Sequence, residues 1–188
     1  MTILVGPHIG LVVEGPGDVN ALPLLLRAYT RSVGDFRDIL GKPIPLNSIS
    51  KATVSGGIEG YCSTAARRPG CKAVLVVVDS DKHCPAEFGE SLRSRAQGVI
   101  EQPVVVAAAQ HNFEDWIFAS AESLDLGLVY SAEASGIAEI KRARKPLAYV
   151  KPVQQPKLTS RMDLELARGR SVSLNRLLNR FDSLRKAI

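Results

Sequence analysis

At 188 residues, 45% of them hydrophobic and 23% charged, the chain has the size and composition of one globular domain, or of one domain with a small appendage. It contains no run of the roughly 18 apolar residues that a membrane helix needs, and its N-terminus lacks the pattern of a signal peptide, so we expect a cytoplasmic protein. The three cysteines, Cys62, Cys71 and Cys84, are scattered and odd in number, which does not favour a disulfide framework.

Charge is distributed unevenly along the chain. Residues 139–188 contain 13 Lys and Arg against 4 Asp and Glu, a net charge of +9, whereas the whole chain carries +5. Residues 1–138 therefore carry −4. The basic part is either a set of solvated helical faces or a surface that faces a polyanion next to an acidic site, and the charge alone does not separate these two interpretations.

Apolar runs alternate with helical patterns along the first two thirds of the chain. Strands are predicted at 8–14, about 47–54, 73–79 and 103–109, and helices near 19–33, 56–68, 85–98 and 112–124. Nearly continuous apolar strands separated by helices predict an α/β fold, with a mostly parallel, Rossmann-like sheet and helices on both of its faces. In such sheets, functional sites form where the carboxyl ends of the strands emerge.

The periodic pattern weakens beyond residue 135. Two helices are predicted near 159–168 and 173–186, and the Pro-containing stretch KPLAYVKPVQQPK separates them from the sheet. The chain is therefore predicted to consist of an α/β domain over residues 1–134 and a basic, mainly helical extension over residues 135–188 that packs on it.

Acidic residues follow the predicted strands at one edge of the sheet. Glu14 ends the first strand, Asp18 closes the EGPGD turn, Asp79 and Asp81 end the strand VLVVVD, and Glu114 follows the fourth strand. An aspartate at a strand end is often only a turn or a helix cap. Carboxylates crowded at one edge, however, would repel each other unless cations lay between them, and carboxylate oxygens are preferred ligands of Mg²⁺. If the chain stays extended through Asp-Ser-Asp, both aspartates point to the same side.

Other sites also use some of these residue types. Asp-x-Asp occurs in haloacid-dehalogenase phosphatases, where the motif lies on the first strand and normally continues with Thr or Val. Here the motif lies on a later strand and is followed by Lys82. It also occurs in nucleotide-sugar glycosyltransferases, but that interpretation leaves Glu14 and Asp18 without a role. A zinc site that uses His83 and Cys84 lacks the usual Cys-x₂₋₄-Cys spacing. The phosphatase and transferase alternatives stay open but weaker.

Four sequence segments together resemble the Toprim fold of topoisomerases, primases and the OLD (overcoming lysogenization defect) nucleases. They are VVEGPGDV, VVVDSDKH, HNFEDWIFAS and KPLAYVKPVQQPKLTSRMDLELARGRSVSLNRLL. The EGPGD turn is closer to the OLD branch. Over nearly its whole length, the chain is similar to a family of short stand-alone Toprim-like proteins of unassigned function, which are often encoded beside ATPases in bacterial defence loci.

This resemblance implies metal-dependent hydrolysis of phosphodiester bonds in nucleic acid, with one or two Mg²⁺ or Mn²⁺ ions. The implied metal ligands are Glu14, Asp18, Asp79, Asp81 and Glu114. Glu14 would be a ligand or a general acid/base, and Asp79 and Asp81 would form the catalytic metal-binding pair. Asp115 is the adjacent rival of Glu114, because neighbouring helical residues cannot both face one site.

The resemblance also implies a lysine that stabilises charge in the transition state. Lys151 is the candidate that we place in the catalytic set, with Lys145 as an alternative and Lys82 as the third choice. The residues expected to hold the phosphate backbone are Lys145, Lys151, Arg161 and Arg170.

The expected partners are nucleic acid, DNA rather than RNA, and an ATPase of the AAA or ABC type. A homodimer is a further option, and no membrane partner is expected. The alternative function is that of a non-catalytic nucleic-acid-binding or regulatory subunit with a degenerate Toprim site.

Overall fold

The computed structural model describes residues 6–188, which form an α/β fold around a four-stranded sheet. The strands are β1 (His8–Val13), β2 (Ile44–Pro45), β3 (Cys71–Asp79) and β4 (Val104–Ala109), in the order β2-β1-β3-β4. Every neighbouring pair of strands is parallel. The predicted α/β class with a parallel sheet is therefore confirmed.

Helices connect and cover these strands. They are α1 (Asp18–Ser32), α2 (Ile49–Thr53), α3 (Gly57–Ala66), α4 (Pro85–Gln97), α5 (Phe113–Phe118), α6 (Gly136–Ala143), α7 (Lys151–Thr159), α8 (Leu164–Arg170) and α9 (Val172–Lys186), and a short 3₁₀ helix spans Ala121–Ser123. Within residues 6–188, none of these helices combines the length and the apolar character that a membrane crossing requires.

The sheet is covered on both faces, as the apolar strands predict. In β3, the side chains of Ala73, Leu75 and Val77 pack in one core with α1, α5 and α9. Those of Val76 and Val78 pack in a second core with α3 and α4. This alternation follows from the two-residue period of a strand, and it places the carboxyl end of β3 at the edge between the two cores.

Beyond residue 135, where two helices were predicted, the structure has four. Helix α6 was not predicted, and the helix predicted near 159–168 corresponds to α8, which begins only at Leu164.

Two further segments differ from the sequence prediction. Residues 47–54 were predicted as a strand, but β2 is shorter and earlier, and α2 begins after Ser48, whose hydroxyl accepts the N–H of Ser50. The segment KPLAYVKPVQQPK was predicted as a linker, but it contains most of α7. The two prolines of α7, Pro152 and Pro156, concealed this helix in the sequence pattern, although Pro152 lies in the first turn, where no N–H is required.

The C-terminal helices share the larger core with the sheet. Leu158 of α7 and Leu174, Leu177 and Phe181 of α9 are buried together with residues of β1 and β3. A polar contact crosses the same junction: the hydroxyl oxygen of Ser173 accepts the indole N–H of the buried Trp116 at 2.8 Å and the backbone N–H of Gln110 at 3.1 Å. The basic C-terminal segment is thus joined to the sheet by both apolar and polar contacts.

We predict that Ser173→Ala lowers the free energy of unfolding by about 1–3 kcal/mol, because a buried donor is left without an acceptor. Urea denaturation measures this. Ser183→Ala is the matched control, since Ser183 lies on the exposed side of the same helix and bonds only to Asn179. Equal effects of the two substitutions would contradict the importance of the Trp116 contact.

Candidate carboxylate and lysine site

Glu14 and Asp79 meet at the carboxyl edge of the sheet. The side chain of Glu14 accepts the backbone N–H of Asp79 at 2.8 Å. This contact follows from the parallel register, in which Val13 of β1 lies beside Val77 of β3. The structure therefore brings together the two acids that end neighbouring strands, as the sequence predicts.

Asp18 is held by the EGPGD turn and by α7. Its side chain is almost fully buried, and one carboxylate oxygen accepts the backbone N–H of Gly15 at 2.9 Å. The other oxygen accepts the side-chain amide of Gln155 at 2.6 Å. The turn that follows β1 thus orients its own aspartate, and the C-terminal segment contacts that aspartate from the opposite side.

Glu114 faces the same region from α5. Its side chain is 0% exposed, and its Oε1 accepts the hydroxyl of Tyr149 at 2.9 Å. Its Oε2 has no hydrogen-bond partner among the residues described. Asp115, the adjacent rival, turns elsewhere and accepts the backbone N–H of Gly136 at 2.6 Å, at the start of α6. Of this pair, Glu114 is therefore the residue that belongs to the site.

Lys151 lies among these carboxylates, which we call the acidic cluster: Glu14, Asp18, Asp79 and Glu114. Its Nζ is 3.5 Å from Oδ2 of Asp79 and 3.7 Å from Oε2 of Glu114. Burial lowers the pKa of Lys151, but the nearby carboxylates, Asp79 first, raise it by more, so the net pKa lies above its usual value. The ammonium group is therefore charged at neutral pH.

One ammonium does not neutralise the acidic cluster. Burial raises the pKa of Asp79 to about 8, the other carboxylates of the cluster add to this effect, and Lys151 opposes it. Burial also raises the pKa of Glu14, against the hydrogen bond from Asp79 and the charge of Lys151. The site therefore has a strong tendency to take up positive charge, as a proton or as a cation.

Asp81 does not stay beside Asp79, and the expectation of an extended Asp-Ser-Asp triplet was wrong. The chain turns at Asp81, which has a φ of 49°, and its N–H donates to the backbone oxygen of His111 at 3.0 Å. Because the triplet bonds to the segment after β4, the Asp81 side chain is exposed at the rim of the site. Its charge is a minor contribution to the raised pKa of Glu14, which burial dominates.

The carboxylate oxygens of the acidic cluster are the kind of ligand that a hard divalent cation prefers. In this structure, however, they are not arranged around a common point. Carboxylate oxygens predominate, the cluster holds excess negative charge, and the buried Oε2 of Glu114 lacks a hydrogen-bond partner among the described residues. Within residues 6–188, however, no group of three or more His, Cys, Asp or Glu side chains is arranged to hold a metal ion. The ammonium of Lys151 lies where two of the carboxylates approach each other.

The basic residues predicted to hold phosphate differ in their surroundings. Arg161 lies 3.8 Å from Asp125, and Arg170 lies 2.6 Å from Glu122, so each guanidinium is already offset by a carboxylate. Lys145 is exposed and has no ion-pair partner among the described residues. Lys82 is also exposed, next to Asp81. The two arginines are thus already paired with acids, whereas the two exposed lysines have no ion-pair partner among the described residues.

Sequence reasoning missed two residues of the site, Tyr149 and Gln155. Both lie in the segment that was predicted as a linker. Spacing could have found Gln155, because it lies four residues after Lys151 and so shares one helical face with it. The same signal does not identify Tyr149, which precedes α7.

Comparison with protein-family models, with curated proteins and with solved structures found no match to this chain. The Toprim resemblance therefore stays a prediction from the four sequence segments.

We predict that Asp79→Asn stabilises the metal-free protein at alkaline pH. Because the pKa of Asp79 is raised to about 8, the folded state binds a proton more tightly than the unfolded state, and stability falls as pH rises between about 4 and 8. Asparagine removes this loss and keeps the oxygen that accepts the N–H of Phe113. In EDTA, thermal melts at pH 8 should favour the variant by at least about 1 kcal/mol, and the difference should shrink toward pH 5.

The exposed Asp38 provides the control, since Asp38→Asn should leave the pH dependence of the melting temperature unchanged. If the difference in stability between the wild type and Asp79→Asn were the same at pH 8 as at pH 5, the buried-carboxylate interpretation would be contradicted.

We also predict that Gly17→Ala disturbs the contact between α7 and the EGPGD turn. A Cβ at Gly17 would lie 2.0 Å from Oε1 of Gln155 and 2.9 Å from Cγ of Lys151. Overpacking of this kind costs about 1–3 kcal/mol of stability. At Gly60, in α3, a Cβ meets nothing within 4 Å, so Gly60→Ala should instead stabilise the protein by about 0.5–1 kcal/mol. Equal and stabilising effects of both substitutions would be inconsistent with the close approach at Gly17.

Proposed function

We propose that this protein is a nuclease that hydrolyses phosphodiester bonds with the help of bound Mg²⁺ or Mn²⁺. The observation that carries the proposal is the excess of buried carboxylate at the carboxyl edge of the sheet, where Asp79 has a pKa raised to about 8 although Lys151 lies 3.5 Å away. A cluster of this kind favours a divalent cation over a single lysine as its counter-charge.

The residues proposed to hold the cation are those of the acidic cluster, Glu14, Asp18, Asp79 and Glu114. Asp81, which the resemblance also implies, lies exposed at the rim of the site and is not included. A divalent cation, when bound, supplies activation of water and neutralisation of charge on the scissile phosphate. Lys151 adds a positive charge that can pair with a phosphate oxygen, since its ammonium group is only partly buried and its side chain is 34% exposed. Glu14 is partly exposed, in a position to exchange a proton with a substrate.

The proposed substrate is nucleic acid, with DNA favoured over RNA, and a partner ATPase is proposed to control activity. The net charge of +9 on residues 139–188 supports an interaction with a polyanion. The exposed Lys145 lies close in sequence to Lys151 and offers a contact to the phosphate backbone.

A second function is supported by a specific observation, the position of Lys151 between Asp79 and Glu114. A lysine that permanently supplied the counter-charge would make the acidic cluster a structural ion-pair network. The protein would then be a non-catalytic nucleic-acid-binding or regulatory subunit. The two functions differ in whether the purified protein binds a divalent cation.

We expect the purified protein to cleave supercoiled plasmid or RNA in Mn²⁺ or Mg²⁺, and to lose about 10²-fold or more of its activity in Glu14→Gln, Asp79→Asn and Lys151→Met. Glu59→Gln is the matched control, because Glu59 is a partly buried carboxylate paired with Arg95 on the other face of the sheet. Gel electrophoresis of the products provides the measurement.

Cleavage that survives both Asp79→Ala and Glu14→Ala would exclude this site as its source. If the protein shows no activity, calorimetric titration with Mn²⁺ separates the two functions. Absence of binding, together with capture of an ATPase, would favour the regulatory subunit.

A further inference from the structure

We propose that Arg144 binds a phosphate group of a nucleic-acid backbone beside the acidic cluster. Arg144 is not among the basic residues that were predicted to hold phosphate. The inference rests on the nucleic-acid partner proposed above and not on cleavage or on a bound cation, so the two proposals can fail separately.

The guanidinium group of Arg144 has no partner among the residues that the structure describes. Its side chain is partly buried, and its Nε is fully buried without a hydrogen-bond acceptor in residues 6–188. The guanidinium is always charged and its N–H groups only donate, so a buried N–H without an acceptor costs free energy. An acceptor supplied by another molecule would recover that cost.

The neighbouring chain offers Arg144 no carboxylate. Along α6, α7 and the stretch between them, the only acidic residue is Glu139, and its side chain pairs with Arg142. Arg161 and Arg170, in contrast, are each paired with an acid. Arg144 therefore has the free charge that these two predicted phosphate contacts lack.

Arg144 lies close to the acidic cluster. Burial and the charge of Glu114 raise the pKa of the Tyr149 hydroxyl, and the charge of Arg144 opposes this rise, so the guanidinium is near that hydroxyl. Tyr149 donates to Glu114, whose other oxygen is 3.7 Å from Nζ of Lys151. Tyr149 and Glu114 thus connect Arg144 to Lys151, and a phosphate on Arg144 would lie next to the carboxyl edge of the sheet.

The surroundings of Arg144 favour a polyanion as its ligand. The planar guanidinium presents pairs of N–H groups that match two oxygens of a phosphate or of a carboxylate. Residues 136–159 contain six Lys and Arg against one Glu. A strip of like charge suits a backbone that repeats its negative charge at every link, so we assign the ligand as a phosphodiester.

The test measures binding of the 188-residue chain to a fluorescein-labelled DNA duplex by fluorescence anisotropy, in EDTA and over a range of KCl concentrations. Arg144→Gln should raise the Kd by about 10-fold at low salt, because a charge-assisted bond to phosphate is lost. It should also reduce the slope of log K against log salt by about 0.9, which corresponds to one phosphate contact. Arg144→Lys keeps the charge without the planar fork, so it should keep the slope and lose part of the affinity.

Arg67→Gln is the matched control. Arg67 is exposed, has no ion-pair partner among the described residues, and lies between α3 and β3, at the amino edge of the sheet and thus opposite the acidic cluster. Its Kd and salt slope should equal those of the wild type. Urea denaturation of each variant measures stability in parallel, and a purely structural role of Arg144 predicts lower stability with an unchanged salt slope.

Wild-type values of Kd and slope in Arg144→Gln overturn the inference, and so does a wild type that binds no DNA. An equal loss in Arg67→Gln overturns it as well, because the effect would then be one of general charge. Equally tight, Arg144-dependent binding of labelled polyglutamate would overturn phosphate as the ligand.

A cleavage assay in Mn²⁺ separates this inference from the proposed function. DNA binding that depends on Arg144 in a protein that does not cleave supports the inference and contradicts the nuclease. Cleavage by a protein whose DNA binding is unaffected by Arg144→Gln overturns the inference alone.

Discussion

The site depends on the burial of several carboxylates beside a single positive charge, the ammonium of Lys151, which does not neutralise all of them. Parallel pairing of β1 and β3 places Glu14 against the backbone of Asp79, and burial of Asp79 disfavours its charged form. The parallel register, in which Val13 of β1 lies beside Val77 of β3, holds both residues at the same edge of the sheet. The compensation that the chain itself supplies comes from outside the sheet, through Lys151 on α7. Helix α7 therefore contributes both a positive charge, from Lys151, and apolar packing, from Leu158.

The C-terminal segment is consequently part of the site and not only a cover for the sheet. Lys151 brings charge, whereas Tyr149 and Gln155 bring neutral hydrogen bonds to Glu114 and Asp18. Gly17 makes this possible, since a larger residue there would collide with α7. The turn after the first strand and the helix near residue 155 are thus mutually dependent, although about 137 residues separate them.

The sequence predicts the parts of this structure that follow from local pattern. The apolar runs of β1, β3 and β4 predict a parallel sheet, and the carboxyl ends of parallel strands lie at one edge, where Glu14 and Asp79 are found together. The position of Asp81 did not follow, because its turn depends on a bond to His111 that only the folded chain provides. The roles of Tyr149 and Gln155 did not follow either, since proline spacing hid the helix that carries one of them. The pairing of Arg161 and Arg170 with acids likewise depends on tertiary contacts.

The contact between Trp116 and Ser173 has a practical consequence. Trp116 is the only tryptophan of the chain, it is 0% exposed, and its indole N–H bonds across the junction between the sheet and the C-terminal helices. Its fluorescence is therefore an intrinsic optical reporter of whether α9, the helix that carries Ser173, is docked on the sheet. The chain thus contains, without any label, a spectroscopic readout for the packing of its last helix.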